Sequence, residues 1–445
     1  MTPDTSITNI AIIGCGYVFD HYMTTAGAHS TLQIVGVYDV VGKRAEAVGT
    51  FYGLHVYPDL QTLLSDSRVE LVVNLTSIDS HYDVTRRLLE AGKHVYSEKP
   101  LTTDLRKSRE LFDLAHERKL TLACAPSNIF SDTVQTMWKA VRDGAIGRPL
   151  LVYAEFDDNP VYLMKPERWR SRTGAPWPYL HEYEAGCTIE HVGYHLVWIC
   201  AIFGPAESVT AFSSVVVPHK TDQELDPPDA PDFSVATIRF AGGVVARVTC
   251  SIAAPLDHRM RIIGDEGELS TDTYRHYQSP VRLERFSSLS LNARKARSVR
   301  GQPALGWIFG VGGRRVRLVE HWRSDATRRI SSDVKRSPIR RLVERVKLRQ
   351  VGAQDKLLGV AEVAQAIRHR ASPPLPPDFL LHINELTLAI QAAGSDSGAI
   401  RLTTSFDPIE PSASTLSGKY DYRKSWRPTL LSSRVGSAIE RLHEH

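Results

Sequence analysis

The sequence predicts an α/β chain of two domains: an N-terminal parallel sheet with helices between its strands, then an α+β domain on an open, largely antiparallel sheet. Three observations predict it. Apolar, β-branched runs alternate with helical stretches over the first 125 residues, the mark of βαβ units. Between residues 150 and 263 strand-like runs follow one another with few helices between them, which points to an antiparallel or mixed sheet. A length of 445 residues also exceeds the ~250–300 at which a single core stops growing. The expected division is 1–125, 126–400 with an insert at about 280–350, and a tail over 401–445.

Ile10-Ala11-Ile12-Ile13-Gly14 reads as the first buried strand, ending at a glycine. The turn Gly14-Cys15-Gly16-Tyr17-Val18-Phe19 then enters a helix containing His21 and Tyr22. In such a turn the first glycine makes the bend, and the second lets the backbone approach a pyrophosphate on the helix N-terminus. Gly14, Gly16, Tyr17 and Val18 are therefore candidate cofactor residues. The third, usually small, position is Phe19, a departure. The next strand, Leu32 to Tyr38, ends at Asp39, where an acid can accept the ribose hydroxyls of an adenosine. A carboxylate there favours NAD over NADP by repelling a 2′-phosphate, although Lys43 and Arg44 lie nearby. Helices over 43–52 and 60–64 flank a short strand at 55–57. The strand Leu71 to Leu75 leads to Thr76 and a helix from His81, and the strand His94 to Tyr96 delivers Glu98-Lys99-Pro100. A helix over 105–118 and a strand over 120–124 complete a domain of Rossmann type.

Ala125-Pro126-Ser127-Asn128 crosses to the second domain. A helix over 132–143 precedes strands at 150–156, 209–217, 233–240, 244–252 and 259–263, and a helix is expected over 354–370.

Four segments together, Gly14-x-Gly16, Thr76 with His81, Ala91-Gly92-Lys93-His94-Val95 and Glu98-Lys99-Pro100, resemble the Gfo/Idh/MocA oxidoreductase family, whose members carry E-K-P after a strand at this place. The resemblance implies that Lys99 is the catalytic lysine, that Glu98 positions the cofactor, and that Thr76 and His81 belong to the cofactor site. The chemistry of Lys99 agrees with it. An ammonium beside a nicotinamide and a substrate hydroxyl can stabilise developing alkoxide and steer its proton. Pro100 fixes its own φ and biases Lys99 away from helix, which aims the side chain.

The family's substrate domain carries a helix of pattern D-x-G-x-H, with aspartate and histidine on one face. The resembling stretch here is Gly186-Cys187-Thr188-Ile189-Glu190-His191-Val192-Gly193-Tyr194-His195. His195 matches the histidine, and the aspartate position falls on His191. By this resemblance His195 is the expected acid or base, with His191 as its neighbour. Glu190, ~100° round the helix from His191, is not expected to replace the aspartate; with Arg170, Tyr194, His195 and Lys99 it is a candidate substrate contact. No metal is expected, because Glu182, Glu184 and Glu190 beside two histidines match no ligand spacing such as H-E-x-x-H.

The expected activity is NAD-dependent interconversion of a secondary alcohol and a ketone on a sugar, cyclitol or sugar nucleotide. An NAD-dependent glycoside hydrolase and a non-catalytic, nucleotide-responsive binding protein are the alternatives, the latter favoured by Phe19 and His191. An open sheet face makes a homo-oligomer expected. No run of ~18 apolar residues and no signal-peptide pattern occur, and five scattered cysteines form no C-x-x-C pair. A cytoplasmic protein with reduced thiols is expected.

The net charge of +4 conceals an asymmetry: residues 281–350 hold 19 Lys and Arg against 5 Asp and Glu. This basic insert includes Leu305 to Gly313, then Arg314, Arg315 and Arg317, and a basic helix over 338–347 with an apolar stripe. It reads as an arm or lid packed on the second domain, as a contact for anionic lipid using Trp307, Phe309 and the arginines, or as a holder for the phosphates of a nucleotide-linked or lipid-linked sugar. Nucleic acid is not expected, since no reading module accompanies the charge.

Overall fold

The computed structural model describes residues 6–226, 230–273, 275–319, 354–394 and 398–417. Strand β1 (Thr8–Ile13) pairs in parallel with β2 (Leu32–Tyr38) on one side and β3 (Leu71–Asn74) on the other. Strands β4 (His94–Ser97) and β5 (Leu122–Cys124) extend the sheet beyond β3, so the order is β2-β1-β3-β4-β5. Helices α1 (Phe19–Met23), α2 (Gly42–Tyr52), α3 (Leu60–Ser65), α4 (His81–Glu90) and α5 (Leu105–Glu117) make the connections. The Asp59 and Asp104 carboxylates cap α3 and α5 by accepting backbone N–H groups of Thr62 and Arg106. The strand order reverses between β1 and β3, and in such sheets the crevice at that reversal takes the ligand. The short strand expected at 55–57 reduces to one bridge, Val37 to Val56.

Helix α6 (Asp132–Arg142), capped by Ser131, leads into a nine-stranded sheet. Its strands are β6 (Pro149–Asp157), β7 (Ala206–Ser214), β8 (Phe233–Phe240), β9 (Val245–Ser251), β10 (Met260–Gly264), β11 (Gly267–Thr271), β12 (Val281–Arg285), β13 (Arg314–Arg315) and β14 (Ile400–Arg401). They lie in the order β13-β12-β11-β10-β6-β9-β8-β7-β14, antiparallel except for the parallel pair β6–β9. Helices α7 (Tyr179–Ala185), α8 (Cys187–His191) and α9 (Gly193–Phe203) follow β6. After β12 come α10 (Ser288–Leu291), α11 (Ala293–Arg300) and α12 (Pro303–Phe309), and after β13 come α13 (Leu357–His369) and α14 (Pro377–Gln391).

Alternation along the strands separates two faces. On β8, Ser234, Ala236, Ile238 and Phe240 point inward, while Thr237 and Arg239 are exposed. On the outer face Arg247 and Arg261 lie over the ring of Tyr153, at 4.7 and 5.9 Å, and Arg261 pairs with Glu268.

Several expectations are corrected. The strand placed at 209–217 is three residues early, at 206–214, because the backbone N–H groups of Val216 and Val217 donate to the Asp232 carboxylate instead of to a neighbouring strand. The start of the insert belongs to the second-domain sheet: β12 pairs along its length with β11 and carries β13 at the sheet edge. The basic helix over 338–347 lies outside the described residues. Helix α13 falls within the span assigned to the second domain, yet Leu357, Val360, Val363 and Ala364 pack in one cluster with Ile10, Ile12, Val37, Val73 and Tyr96 of the first. Gly359 makes that approach possible, since a Cβ there would stand 2.5 Å from the Tyr96 hydroxyl.

Candidate active site

The glycine turn fits a dinucleotide. Gly14 has φ +95°, and a Cβ on it would stand 2.4 Å from the carbonyl oxygen of Leu75, so only glycine lets β1 end against β3 at the reversal. Gly16 faces open space, with nothing within 4 Å of where its Cβ would be, which leaves its backbone accessible to a pyrophosphate. Asp39 folds back onto this turn, accepting from the N–H of Cys15 at 2.7 Å and of Val41 at 2.7 Å. Tyr17 and Val18 are half-buried at the start of α1. Phe19 is fully enclosed, 5.9 Å from the ring of Tyr52, so the departure from a small residue fills space between α1 and α2 and leaves the turn intact.

Thr76 and His81 act on the neighbouring loop. The Thr76 hydroxyl donates to Asn74 at 2.7 Å, and the buried His81 ring spans from Thr76 O at 3.1 Å to Pro100 O at 2.7 Å. His81 thereby ties the loop after β3 to the segment carrying Lys99.

At the carboxyl end of β4, Glu98 and Lys99 sit in two crossed ion pairs. Lys99 Nζ pairs with Glu190, and Glu98 accepts from Lys356 Nζ at 3.0 Å and from the Tyr22 hydroxyl at 3.0 Å. The backbone N–H of Lys99 donates to the other Glu98 oxygen at 3.0 Å. Burial raises the proton affinity of Glu98, but Lys356 and Lys99 outweigh it and lower the pKa to about 2. Burial likewise opposes the charge on Lys99, yet Glu190, Tyr194 and Glu98 prevail and the net direction is upward. Lys99 is an ammonium here.

The helix bearing the second-domain residues is broken, and the side it turns to Lys99 corrects the expected alignment. α8 ends at His191 and α9 restarts at Gly193, with the N–H of His195 bonding three residues back to Val192 at 2.9 Å. The side turned to Lys99 is one residue from the expected one: Glu190 and Tyr194, four apart, share it, with Glu190 supplying the carboxylate opposite Lys99, while His191 and His195 share the side facing Phe156. His191 turns to Glu182, with Nε2 2.6 Å from its carboxylate, and stacks on Phe156 at 4.4 Å. His195 does not reach the cleft: it is 0% exposed, edge-on to Phe156 at 5.9 Å, and burial with His258 nearby lowers its pKa to about 3. Tyr194, one residue earlier, lies beside Lys99 in its place. Lys99 Nζ is 6.0 Å from its ring centroid, Lys356 Nζ is 3.4 Å from its hydroxyl, and Arg275 covers the ring at 5.2 Å.

Arg170 is not brought to the site. Its guanidinium donates to the carbonyls of Glu167 and Trp169 in its own exposed turn, and the following Thr173 docks on Asp20 of α1. Two cleft residues escaped sequence reading. Arg275, paired with Asp158 at 3.2 Å, and Lys356, at the start of α13, carry no local motif. Their places follow from the returning chain alone. Among the described residues no group of histidines, cysteines and acids could hold a metal ion.

The enclosure of His195 has a measurable consequence. The folded state keeps the ring neutral, while the unfolded chain takes up a proton below about pH 6.5, so stability present above that pH is lost as pH falls toward 3. One such group contributes a slope of about 1.4 kcal/mol per pH unit in that window. Thermal melts of wild type and His195→Gln across it are expected to show a shallower pH dependence in the variant. Equal slopes would contradict the buried, neutral ring.

A parallel sheet with a glycine-bounded crevice, joined to an open sheet whose helices close over a lysine at a strand end, defines a two-domain dinucleotide-binding oxidoreductase fold. Residues 8–125 match the family description "Oxidoreductase family, NAD-binding Rossmann fold", and residues 134–270 match the "GFO/IDH/MocA C-terminal domain". The chain belongs to the Gfo/Idh/MocA oxidoreductase family. An uncharacterized oxidoreductase of Escherichia coli, YhhX, is 32% identical over 163 residues, 36% of this chain and 47% of that protein. The inositol 2-dehydrogenase/D-chiro-inositol 3-dehydrogenase of Lactiplantibacillus plantarum is 24% identical over 299 residues, 65% of this chain and 79% of that protein. With YhhX, the matched region thus spans about half the length of the relative. In fold the chain is similar to the WlbA dehydrogenase from Bordetella pertussis, solved in complex with NADH and UDP-GlcNAcA: the TM-score is 0.61 at 18% identity, over 89% of this chain and 98% of that one.

Proposed function

We propose that this protein is an NAD-dependent oxidoreductase interconverting a secondary alcohol and a ketone on a sugar, cyclitol or sugar nucleotide. The observation that carries the reading is Lys99: an ammonium at the carboxyl end of a parallel strand, paired with Glu190 and two strands over from the glycine turn. When bound, the dinucleotide supplies the hydride acceptor or donor. Gly14, Gly16 and Asp39 hold it, and His81 fixes the segment that aims Lys99. The ammonium stabilises negative charge developing on the substrate oxygen. Tyr194, which stands beside Lys99 with its hydroxyl 3.4 Å from Lys356 Nζ, takes over the proton handling expected of the fully enclosed His195. Support for polyol-like substrates comes from relatives with inositol and sugar names. The test is a panel of cyclitols, sugars, sugar acids and nucleotide-linked sugars assayed by nicotinamide absorbance. Reduction of NAD by one class is the expected result, and sugar release without net NADH would favour a hydrolase instead.

The exposed outer face of the second sheet supports self-association, and a monomer by sedimentation would end that part. Residues 286–319 hold six arginines and one lysine with no acid, which supports contact with anionic lipid or a phosphorylated glycan; failure to float with anionic vesicles at low salt would remove the lipid. Five buried free thiols support a reducing, cytoplasmic setting. No helix among the described residues is long and apolar enough to cross a membrane.

A further inference from the structure

We propose that Lys356 is part of the proton-transfer apparatus, a positioning residue that holds its ammonium against the Tyr194 hydroxyl and favours the phenolate that accepts the substrate's proton. This rests on the oxidoreductase reading above. Lys356 enters on α13, the helix that returns from the second domain to pack on the first sheet, and its backbone is fixed on both sides. The neighbouring Asp355 carboxylate accepts from the Thr25 hydroxyl at 2.6 Å and lies 2.8 Å from the His29 ring, while the Ser127 hydroxyl donates to Asp355 O at 3.3 Å. The next turn is set by the contact of Gly359 with Tyr96. A solvated surface lysine needs none of this placement.

The side chain is only 13% exposed. One N–H goes to Glu98 Oε1 at 3.0 Å, and another points at Tyr194 Oη at 3.4 Å. Glu98 cannot swing to compete for the tyrosine, because its oxygens also accept the Tyr22 hydroxyl and the Lys99 N–H. Burial opposes the charge of Lys356, but Glu98 and Tyr194 outweigh it, so the ammonium persists. Tyr194 is faced by three cations, Lys356 from α13, Lys99 from β4 and Arg275 from the segment between β11 and β12. The opposing carboxylates are all paired: Glu98 with Lys356, Glu190 with Lys99, Asp158 with Arg275. Tyr22 and Tyr277 interact with it electrostatically, and His21 on α1 is kept neutral by burial, Lys356 and Arg275, its pKa lowered to about 4.

In the oxidation direction the substrate O–H bond breaks and its proton passes to the Tyr194 oxygen. The C–H bond breaks as hydride leaves for the nicotinamide dinucleotide, the oxidant; the carbon becomes a ketone carbon and the dinucleotide is reduced. Lys99 stabilises the substrate oxygen, and Lys356 stabilises the tyrosine oxygen before the proton arrives. A second lysine from the far end of the chain thus divides the charge work of the site.

The test compares wild type with Lys356→Met, Lys356→Arg and Tyr194→Phe in two ways. Alkaline ultraviolet difference spectra of the protein without cofactor, wild type against Tyr194→Phe, isolate the phenolate band of Tyr194. That band is expected at higher pH in Lys356→Met and near its wild-type place in Lys356→Arg. For alcohol oxidation, Lys356→Met is expected to lose about 10²-fold in kcat at neutral pH, recovering as pH rises, with Lys356→Arg restoring most of the loss. A phenolate band unmoved by Lys356→Met, or a pH–rate profile that superimposes on wild type, overturns the proposal. If no substrate turns over at all, the oxidoreductase reading fails, while the spectra still decide whether Lys356 governs Tyr194.

Discussion

Lys99→Met is expected to reduce turnover by about 10³-fold while NADH binding stays close to wild type. Methionine keeps most of the stem volume and removes the charge, so the change isolates electrostatics from packing. The Lys99 backbone N–H continues to hold Glu98, and the glycine turn is untouched, which is why binding should persist. The substitution leaves Glu190 facing the cleft without its cation, and Lys99→Met with Glu190→Gln is expected to recover any lost thermal stability without recovering turnover. Steady-state kinetics beside a fluorescence titration with NADH separate the two effects. Unchanged turnover on an identified substrate would sink the mechanism; loss of NADH binding would place Lys99 in the cofactor cradle instead.

Asp232→Ala is expected to destabilise the protein by about 3–5 kcal/mol, the range for removing one partner of a buried ion pair. Lys220 and Asp232 are 2% and 1% exposed and 3.1 Å apart. The same carboxylate accepts the N–H groups of Val216 at 2.7 Å and Val217 at 3.0 Å, so truncation strands a buried ammonium and two backbone donors at once. The damage should spread toward the site. Pro231, beside Asp232, accepts the N–H of Cys187 at the start of α8, and Gly186 packs so closely on it that a Cβ would stand 2.9 Å from Pro231 O. Lys220→Met with Asp232→Asn keeps one acceptor oxygen for the two backbone groups and removes the unpaired charge, and is expected to cost less than Asp232→Ala. Denaturant melts of both variants check the ranking, and equal midpoints for wild type and Asp232→Ala would contradict it.

The first domain was legible because its signals are local. Apolar runs bounded by glycine or polar residues placed the ends of β1 to β4 within two residues, and the glycine turn, Asp39 and Glu98-Lys99-Pro100 could be read because each depends on a few adjacent residues. The second half of the site could not be read with the same certainty. A pattern of two residues four apart fixes which residues share a side but not which side meets Lys99, and here it is the Glu190 and Tyr194 side, with His191 and His195 turned to Phe156. One cue was present in the letters: Leu196-Val197-Trp198-Ile199-Cys200 is apolar all round, and a helix of that kind is enclosed on every side, which argues against a solvent-reaching His195. Lys356 and Arg275 had no such cue, since their roles come from where α13 and the turn after β11 arrive in space. The arrival of β12 and β13 at the sheet edge was hidden for a different reason. Their arginines read as charge rather than as alternation, although Val281 and Leu283 point inward.

The packing of α13 on the first sheet also fixes an order of events during synthesis. When residues 1–125 have emerged from a ribosome all five parallel strands exist, but the patch formed by Ile10, Ile12, Val73 and Tyr96 still lacks the helix that covers it, and Glu98 still lacks the cation that neutralises it. Both arrive only with residues 356–369, after the whole second sheet except β14 has been made. The nucleotide half of this protein is therefore the first to be translated and among the last to be finished, and a nascent chain stalled before α13 would present a sheet without its cover and a site without its second lysine.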